Sequence, residues 1–196
     1  MIDRKRFYDT VRKTLFGGRL NSEQVYGMEA KINEWERRAL PDLRWLAYMK
    51  GTSYWETGKR MVPVEEIGRG AGRKYGVPAG PYKLVYYGRG DVQLTWWENY
   101  VKMGALLQLP LDRKPELALI PEISMQIMFE GMTTGVSLKG DFTGHHLGMY
   151  FDGDKADWKN ARRIINRLDH AEDIAEISRK FWAALKPVEA GVDLAA

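Results

Sequence analysis

At 196 residues, with 44% hydrophobic side chains, seven Trp and ten Tyr, the chain has the apolar mass for one cored domain and shows no repeat or low-complexity tract that argues for more. The absence of cysteine excludes a disulfide scaffold and thiol chemistry, and fits synthesis in a reducing cytoplasm. The net charge of +4 favours anionic partners. The basic residues, Arg4-Lys5-Arg6, Arg37-Arg38 and Arg162-Arg163 among them, are mixed with acids as on an ordinary solvated surface, so no nucleic-acid face is expected.

Residues 3–15 carry Phe7, Val11 and Leu15 at four-residue steps behind a potential N-cap, Asp3, and predict an amphipathic helix that Gly17-Gly18 ends. A second helix starts at Asn21-Ser22, with Glu23 in its first turn and a stripe of Val25, Met28, Ile32, Trp35 and Ala39. Pro41-Asp42 breaks the chain and caps a third, apolar helix, which ends on Glu56 with Gly58 as its stop. From 58 to 90, glycines at eight positions and prolines at 63, 78 and 81 argue against long elements. Val62, Val64 and Leu84–Tyr87 are the candidates for short strands in a small hairpin lobe there. The run Gly68-Arg69-Gly70-Ala71-Gly72 lacks the leading strand and the following Lys-Ser/Thr of a phosphate cradle, and reads as a flexible loop over a substrate. Thr95 is placed to cap a helix through Trp96, Tyr100, Met103, Leu106 and Leu107, stopping before Pro110. Pro121 or Glu122 starts another with Ile123, Ile127 and Met128, its Met/Phe stripe reading as core. A loop is expected between Gly135 and Gly144. Asp157 is expected to cap a helix through Ile164 and Ile165, and Ala171 to Leu185 is the last amphipathic helix. The chain is thus predicted to be mainly α, a single domain over 1–186 with a frayed tail at 187–196.

Glu56 is expected to end an apolar helix, a place that can solvate the ionised form of a carboxyl poorly. Glu65 and Glu66 follow on a polar loop, where a carboxylate stays ionised. Two carboxyls in opposed environments are what acid–base hydrolysis of a glycosidic bond requires. Spacing alone nevertheless favours the plain reading of Glu56 as a surface residue in a helix's last turn.

The order of several motifs goes further. Tyr54-Trp55-Glu56-Thr57, then Met61-Val62-Pro63-Val64-Glu65-Glu66 with Gly68, then Tyr86-Tyr87-Gly88-Arg89-Gly90-Asp91-Val92-Gln93-Leu94-Thr95-Trp96 with Asn99-Tyr100, and finally Arg162-Arg163-Ile164-Ile165-Asn166 follow one another. This text resembles glycoside hydrolase family 19, the lysozyme-like group of plant-type chitinases and many bacteriophage endolysins, over about 25–185. The phage and bacterial branch is the nearer one, with short loops and no cysteines. The resemblance implies a lysozyme-like two-lobed helical fold and a short helix after Phe142-Thr143-Gly144. It implies Glu56 as general acid, Glu66 rather than Glu65 as base, and inversion, with the carboxyls roughly 6.5–9.5 Å apart or further with the loop open. Thr95 is implied to hold the attacking water, and Gln93, Asn99, Tyr100 and Asn166 to bind sugar. Turn and capping chemistry is the plain alternative for Gln93, Thr95 and Asn99. Trp55 stands where the family usually has His; it is expected to wall the acid with apolar surface and to join the substrate-binding set. Arg167-Leu168 stands where Gly commonly follows the Asn. Arg89 is expected to pair with a carboxylate inside its Gly-rich turn.

The expected function is cleavage of the β-1,4 bonds of peptidoglycan by a monomeric muramidase of the endolysin type that needs neither cofactor nor metal. A chitinase and a non-catalytic glycan-binding relative are the alternatives. His145-His146 has no third ligand at motif spacing and reads as a loop pair. No run of about 20 apolar residues is present to cross a bilayer, and Met1 to Arg6 leads into no signal-like apolar run. Another factor is therefore expected to release the protein to the bacterial wall.

Overall fold

A computed structural model describes residues 2–133 and 142–187; most of the expected 135–144 loop and the tail beyond Pro187 lie outside the described residues. The helices are α1 (Arg4–Thr14), α2 (Ser22–Arg38), α3 (Leu43–Glu56), α4 (Trp97–Leu107), α5 (Pro121–Met132), α6 (Arg163–Asn166) and α7 (Ala171–Leu185). Two small antiparallel pairs complete the described regular structure, β1 (Val64–Glu65) with β2 (Arg89–Gly90), and β3 (Phe151–Asp152) with β4 (Lys155–Ala156). The protein is mainly α, as its patterning predicts.

The expected caps account for the first three helix starts. Asp3 accepts from the Arg6 amide, Asn21 and Gln24 cap each other reciprocally, and Asp42 accepts from the Arg44 amide. The inner face of α2 is Gly27, Met28, Lys31 and Ile32, so Val25 turns outward and Ala39 lies past the end as a left-handed C-cap. Those two members of the expected stripe are therefore not core. Arg4 clasps Glu36 through two bonds of 2.7 and 2.8 Å and holds Glu29 at 3.1 Å, fastening α1 to α2.

α3 is the axis of the molecule. Its nine residues from Leu46 to Tyr54 are all buried, and a helix with no polar face has to be surrounded. α7 packs along it most extensively, with α2 and α5 against other sides. The approach of α7 requires Gly51, where a Cβ would stand 2.0 Å from Ser178 Oγ. α3 stops at Glu56 because Gly58 adopts φ 57° and the chain doubles back, the Lys59 amide donating to Tyr54 O at 2.7 Å. That stop puts the Glu56 side chain at the rim of the core.

In the hairpin lobe Val64 faces Gly90 and Glu65 faces Arg89. The strand expected over Leu84–Tyr87 is absent: Leu84 makes one isolated bridge to Ala79, while Tyr86 turns into the core and donates to Asp112 O. The glycine-rich stretch is a chain of turns, each closed by a backbone bond from Arg69 to Glu66, Ala71 to Gly68 and Arg73 to Gly70. α4 begins at Trp97 without a side-chain cap, so Thr95 does not cap it as expected. Asp157 accepts from the Asn160 amide at 3.1 Å but is not the expected helix cap: Lys159 stands at the start of a 3-10 turn (Asn160–Arg162) that leads into the single turn of α6. A 3-10 turn, Leu147–Met149, follows Phe142-Thr143-Gly144. Among the described residues, no helix is long and apolar enough to cross a membrane.

Candidate active site

A cleft of about 480 Å³ opens between the hairpin lobe and the α6 region, and Glu56, Glu66, Gln93, Thr95, Asn99 and Asn166 all line it. Six of the eight residues singled out in the sequence are thereby brought to one surface. A larger hollow of about 700 Å³ lies by the chain ends, lined by Trp35, Leu43 and Leu185. Its two acids are already committed, Asp3 as the cap of α1 and Glu36 to Arg4. The carboxyl groups singled out in the sequence, Glu56 and Glu66, line the smaller cleft.

The two carboxylates are held differently. Glu56 Oε1 stands 2.8 Å from Nη1 of Arg162, whose side chain is 2% exposed and whose Nε donates to Asp169 O at 3.0 Å. One oxygen of Glu56 is thus anchored from beneath, and no bond to the other occurs among the described residues. Glu66 accepts from Tyr75 Oη at 2.8 Å through Oε1 and from the Gly88 amide at 2.9 Å through Oε2. Its own amide donates back to Gly88 O at 2.8 Å, so the residue is pinned to the β1–β2 hairpin. Its neighbour Glu65 points elsewhere, to Arg69 and the Tyr87 hydroxyl. That hydroxyl, and then Arg69, hold the Glu65 carboxyl below the usual range. Strand alternation accounts for the split, because successive side chains leave a strand on opposite faces.

Gln93 and Thr95 reach the cleft on either side of the buried Leu94. They do so from a turn rather than an extended segment, since Gln93 has φ 52°. The Gln93 amide group donates to Val64 O and Gly90 O at 3.1 and 3.2 Å, which fixes its plane. The Asn99 amide donates to Thr95 O at 2.9 Å. The Thr95 hydroxyl makes no helix cap and stays available at the cleft. Asn166 is exposed on the other rim, where Arg167 takes φ 41°.

Two expected substrate contacts lie elsewhere. Tyr100 is fully buried beneath the cleft, donating to Tyr87 O and accepting from Arg89 Nη1, each at 3.0 Å. Trp55 faces α7, its ring tilted at 37° against that of His170 with centres 4.7 Å apart, in a separate groove beside Tyr54, Lys59 and Ile177. The step of about 100° per residue along a helix turns it off the Glu56 face, so it does not wall the acid. Arg89 does not make the expected carboxylate pair: it is buried, and its guanidinium meets carbonyls of Val85 and Tyr87 and lies over the Tyr87 ring at 3.6 Å. His145 bonds the Tyr150 hydroxyl at 2.7 Å.

Asp91 supports the loop that carries Gln93 and Thr95. Its carboxylate meets Lys31 Nζ at 2.8 Å and accepts from Ser53 and Ser124 hydroxyls at 2.7 and 2.8 Å, both charged side chains being almost wholly buried. This network locks the loop to α2, α3 and α5 at once. Two cleft residues, Tyr75 and Trp96, and Arg162 beneath the cleft escape sequence reasoning. Arg162 looks like half of a surface basic pair, and only its 2% exposure marks it as internal. Tyr75 sits in a glycine-rich stretch without periodicity, and Trp96 reads as the first apolar position of α4. Arg162 and Trp96 do stand inside the motif blocks, which was the available signal.

No family model matches the chain. Over 67 residues it is 42% identical to one endochitinase of Arabidopsis thaliana and 40% identical to a second, each match covering 32% of this chain and 23% of the relative. The chain therefore matches about a quarter of the length of these curated relatives. Among solved structures, a bacterial family 19 chitinase is similar at 20% identity over 90% of this chain and 94% of that one, with a TM-score of 0.38. A likeness to chitinases, read from the motifs, is thus also found by direct comparison of sequences over those 67 residues.

Proposed function

We propose that this chain is a glycosidase of the family 19 kind, hydrolysing β-1,4 bonds of an N-acetylhexosamine polymer with two carboxyl groups, and that the polymer is peptidoglycan. The observation that carries the reading is the meeting of Glu56 and Glu66 in one cleft with Thr95, although the two acids arrive from different elements. In this reading Glu56, anchored on one oxygen by Arg162, gives its proton to the glycosidic oxygen. Glu66 takes a proton from the attacking water, which the Thr95 hydroxyl orients. Inversion at the anomeric carbon is the stereochemical outcome of such a pair with water between. Gln93, Asn99 and Asn166 offer amides to the sugar substituents.

Charge at the rim supports peptidoglycan over a neutral polymer. Residues 58–90 hold seven basic and two acidic residues, a net +5 against +4 for the whole chain. Arg73 and Lys74 precede the cleft-lining Tyr75, Arg167 follows Asn166, and all three are exposed. Peptidoglycan carries carboxylates on its lactyl and peptide branches, and exposed cations beside the cleft attract such a strand. The reading places the protein's action at the bacterial wall. The second reading, a chitinase, is favoured by the 67-residue match to proteins named endochitinases. Digesting purified sacculi and N-acetylglucosamine oligomers side by side, with mass analysis, separates them. New reducing-end N-acetylmuramic acid from sacculi supports the proposal. Cleavage of the oligomers alone makes the protein a chitinase, and binding without new reducing ends makes it a glycan-binding relative.

A further inference from the structure

Trp96 occupies its place in the cleft against the preference of its own backbone. Its φ of 71° lies in the left-handed region, where a bulky residue is an outlier and glycine is at ease. Packing does not account for the ring either. It is 43% exposed and stands apart from the core, whereas the next residue, Trp97, packs against it. What the indole has is a position: it lines the cleft directly after Thr95 and meets Tyr75 edge-on, ring centres 5.6 Å apart and planes at 74°. The hydroxyl of Tyr75 is the one that donates to Glu66 at 2.8 Å. Platform and carboxylate are therefore held to each other through a single tyrosine. Strained backbone clusters at functional sites, and of the described non-glycine residues with positive φ, Trp96 and Gln93 are the two that line the cleft.

A pyranose chair presents C–H groups on its face and hydroxyl or amide groups around its edge. An exposed flat indole covers that apolar face without competing for the polar edge. We propose that Trp96 is the platform on which a sugar ring of the substrate stacks, on the Glu66 side of the cleft. The assignment rests on the glycosidase reading and adds a substrate-binding residue to it. Stacking of this kind needs no charge on the sugar, so it serves a neutral and an anionic glycan alike and complements the cationic rim.

The test uses the full chain carrying Glu56→Gln, so that ligand survives the measurement. Two probes are titrated by calorimetry, an N-acetylglucosamine tetramer and soluble glycan strands cut from sacculi by an amidase. Trp96→Gly is expected to weaken the bound probe about tenfold or more, the order of a lost aromatic contact. Its thermal midpoint is expected to stay within a few degrees, because glycine accepts the left-handed backbone. Trp96→Phe is expected to bind with intermediate strength and to lose the fluorescence change that binding produces. Unaltered affinity in Trp96→Gly overturns the assignment while leaving the glycosidase reading intact. So does a collapse of its midpoint, which would make the ring a packing element. Failure of both probes to bind with Trp96 in place overturns the glycosidase reading and this assignment together.

Discussion

Removing one member of the buried Lys31–Asp91 pair is expected to cost far more stability than removing both. Nζ and Oδ1 are 2.8 Å apart, with side chains 3% and 1% exposed. At an effective dielectric of about 20 the attraction at that distance is about 6 kcal/mol. Much of it only offsets the desolvation of two charges, and breaking such a pair from one side costs about 3–5 kcal/mol. In Lys31→Met, Asp91 keeps the Ser53 and Ser124 hydroxyls but loses its cation, and the Met61 carbonyl loses a donor at 2.9 Å. For a chain of this size each kcal/mol moves the thermal midpoint by about 2–4 °C, so a drop of roughly 6–20 °C is expected. In the double variant Lys31→Met with Asp91→Leu no charge is left behind, and the two serines can turn to their own helix carbonyls. Its stability is expected within about 2 kcal/mol of the parent. Guanidinium unfolding of the four proteins gives the coupling energy directly. Single variants costing under about 1 kcal/mol, or strictly additive costs, would refute the premise that the pair is dry and mutually dependent.

Burial, reinforced by the nearby charge of Lys31, pushes the Lys50 amine well below the usual lysine range. Between that value and about pH 10.4 the unfolded chain binds more protons than the folded one, so stability falls as pH drops through the window. Lys50→Met is therefore expected to gain most over the parent at acid and neutral pH and least near pH 10, in melts across pH; parallel curves would contradict this. Glu66→Gln is expected to lower turnover by at least ~10²-fold, while Glu65→Gln, whose carboxylate engages Arg69 and Tyr87 outside the cleft, is expected to be mild. Rates in the reverse order would make Glu65 the base. Gly51→Ala places a methyl 2.0 Å from Ser178 Oγ and is expected to cost about 1–3 kcal/mol by forcing α7 away, a loss that Ser178→Gly in the same chain should partly restore.

Local rules made the helical frame legible. Asp3, Asn21, Asp42 and Pro121 mark helix starts that the structure keeps, because a cap or a first-turn proline acts within a few residues of itself. Glu56 and Glu66 were legible through motif text, and the strand pairing that separates Glu66 from Glu65 follows from alternation once β1 is known. Trp55 and Tyr100 show the limit. Both stand beside cleft residues in sequence, yet one turns to α7 and the other goes under the floor. Which way a side chain leaves a helix relative to a cleft depends on partners far along the chain. Thr95 misled for a related reason: its residue type suits a cap, but the left-handed Trp96 starts α4 one residue later than the pattern suggests. Arg162 was hidden because a sequence does not show which half of a basic pair is swallowed by the fold.

The measurement that bears most directly on the two-carboxylate account is the rate of reducing-end release from sacculi by the parent chain and by Glu56→Gln, run together. The substitution leaves the Arg162 cation facing an amide oxygen in place of a carboxylate. The midpoint is therefore expected to fall somewhat, and rates are compared at a temperature where circular dichroism shows both proteins folded. A folded Glu56→Gln protein that binds sacculi as the parent does, and releases reducing ends at least ~10²-fold more slowly, is the predicted result. Equal rates from the two folded proteins would contradict the assignment of Glu56 as the proton donor.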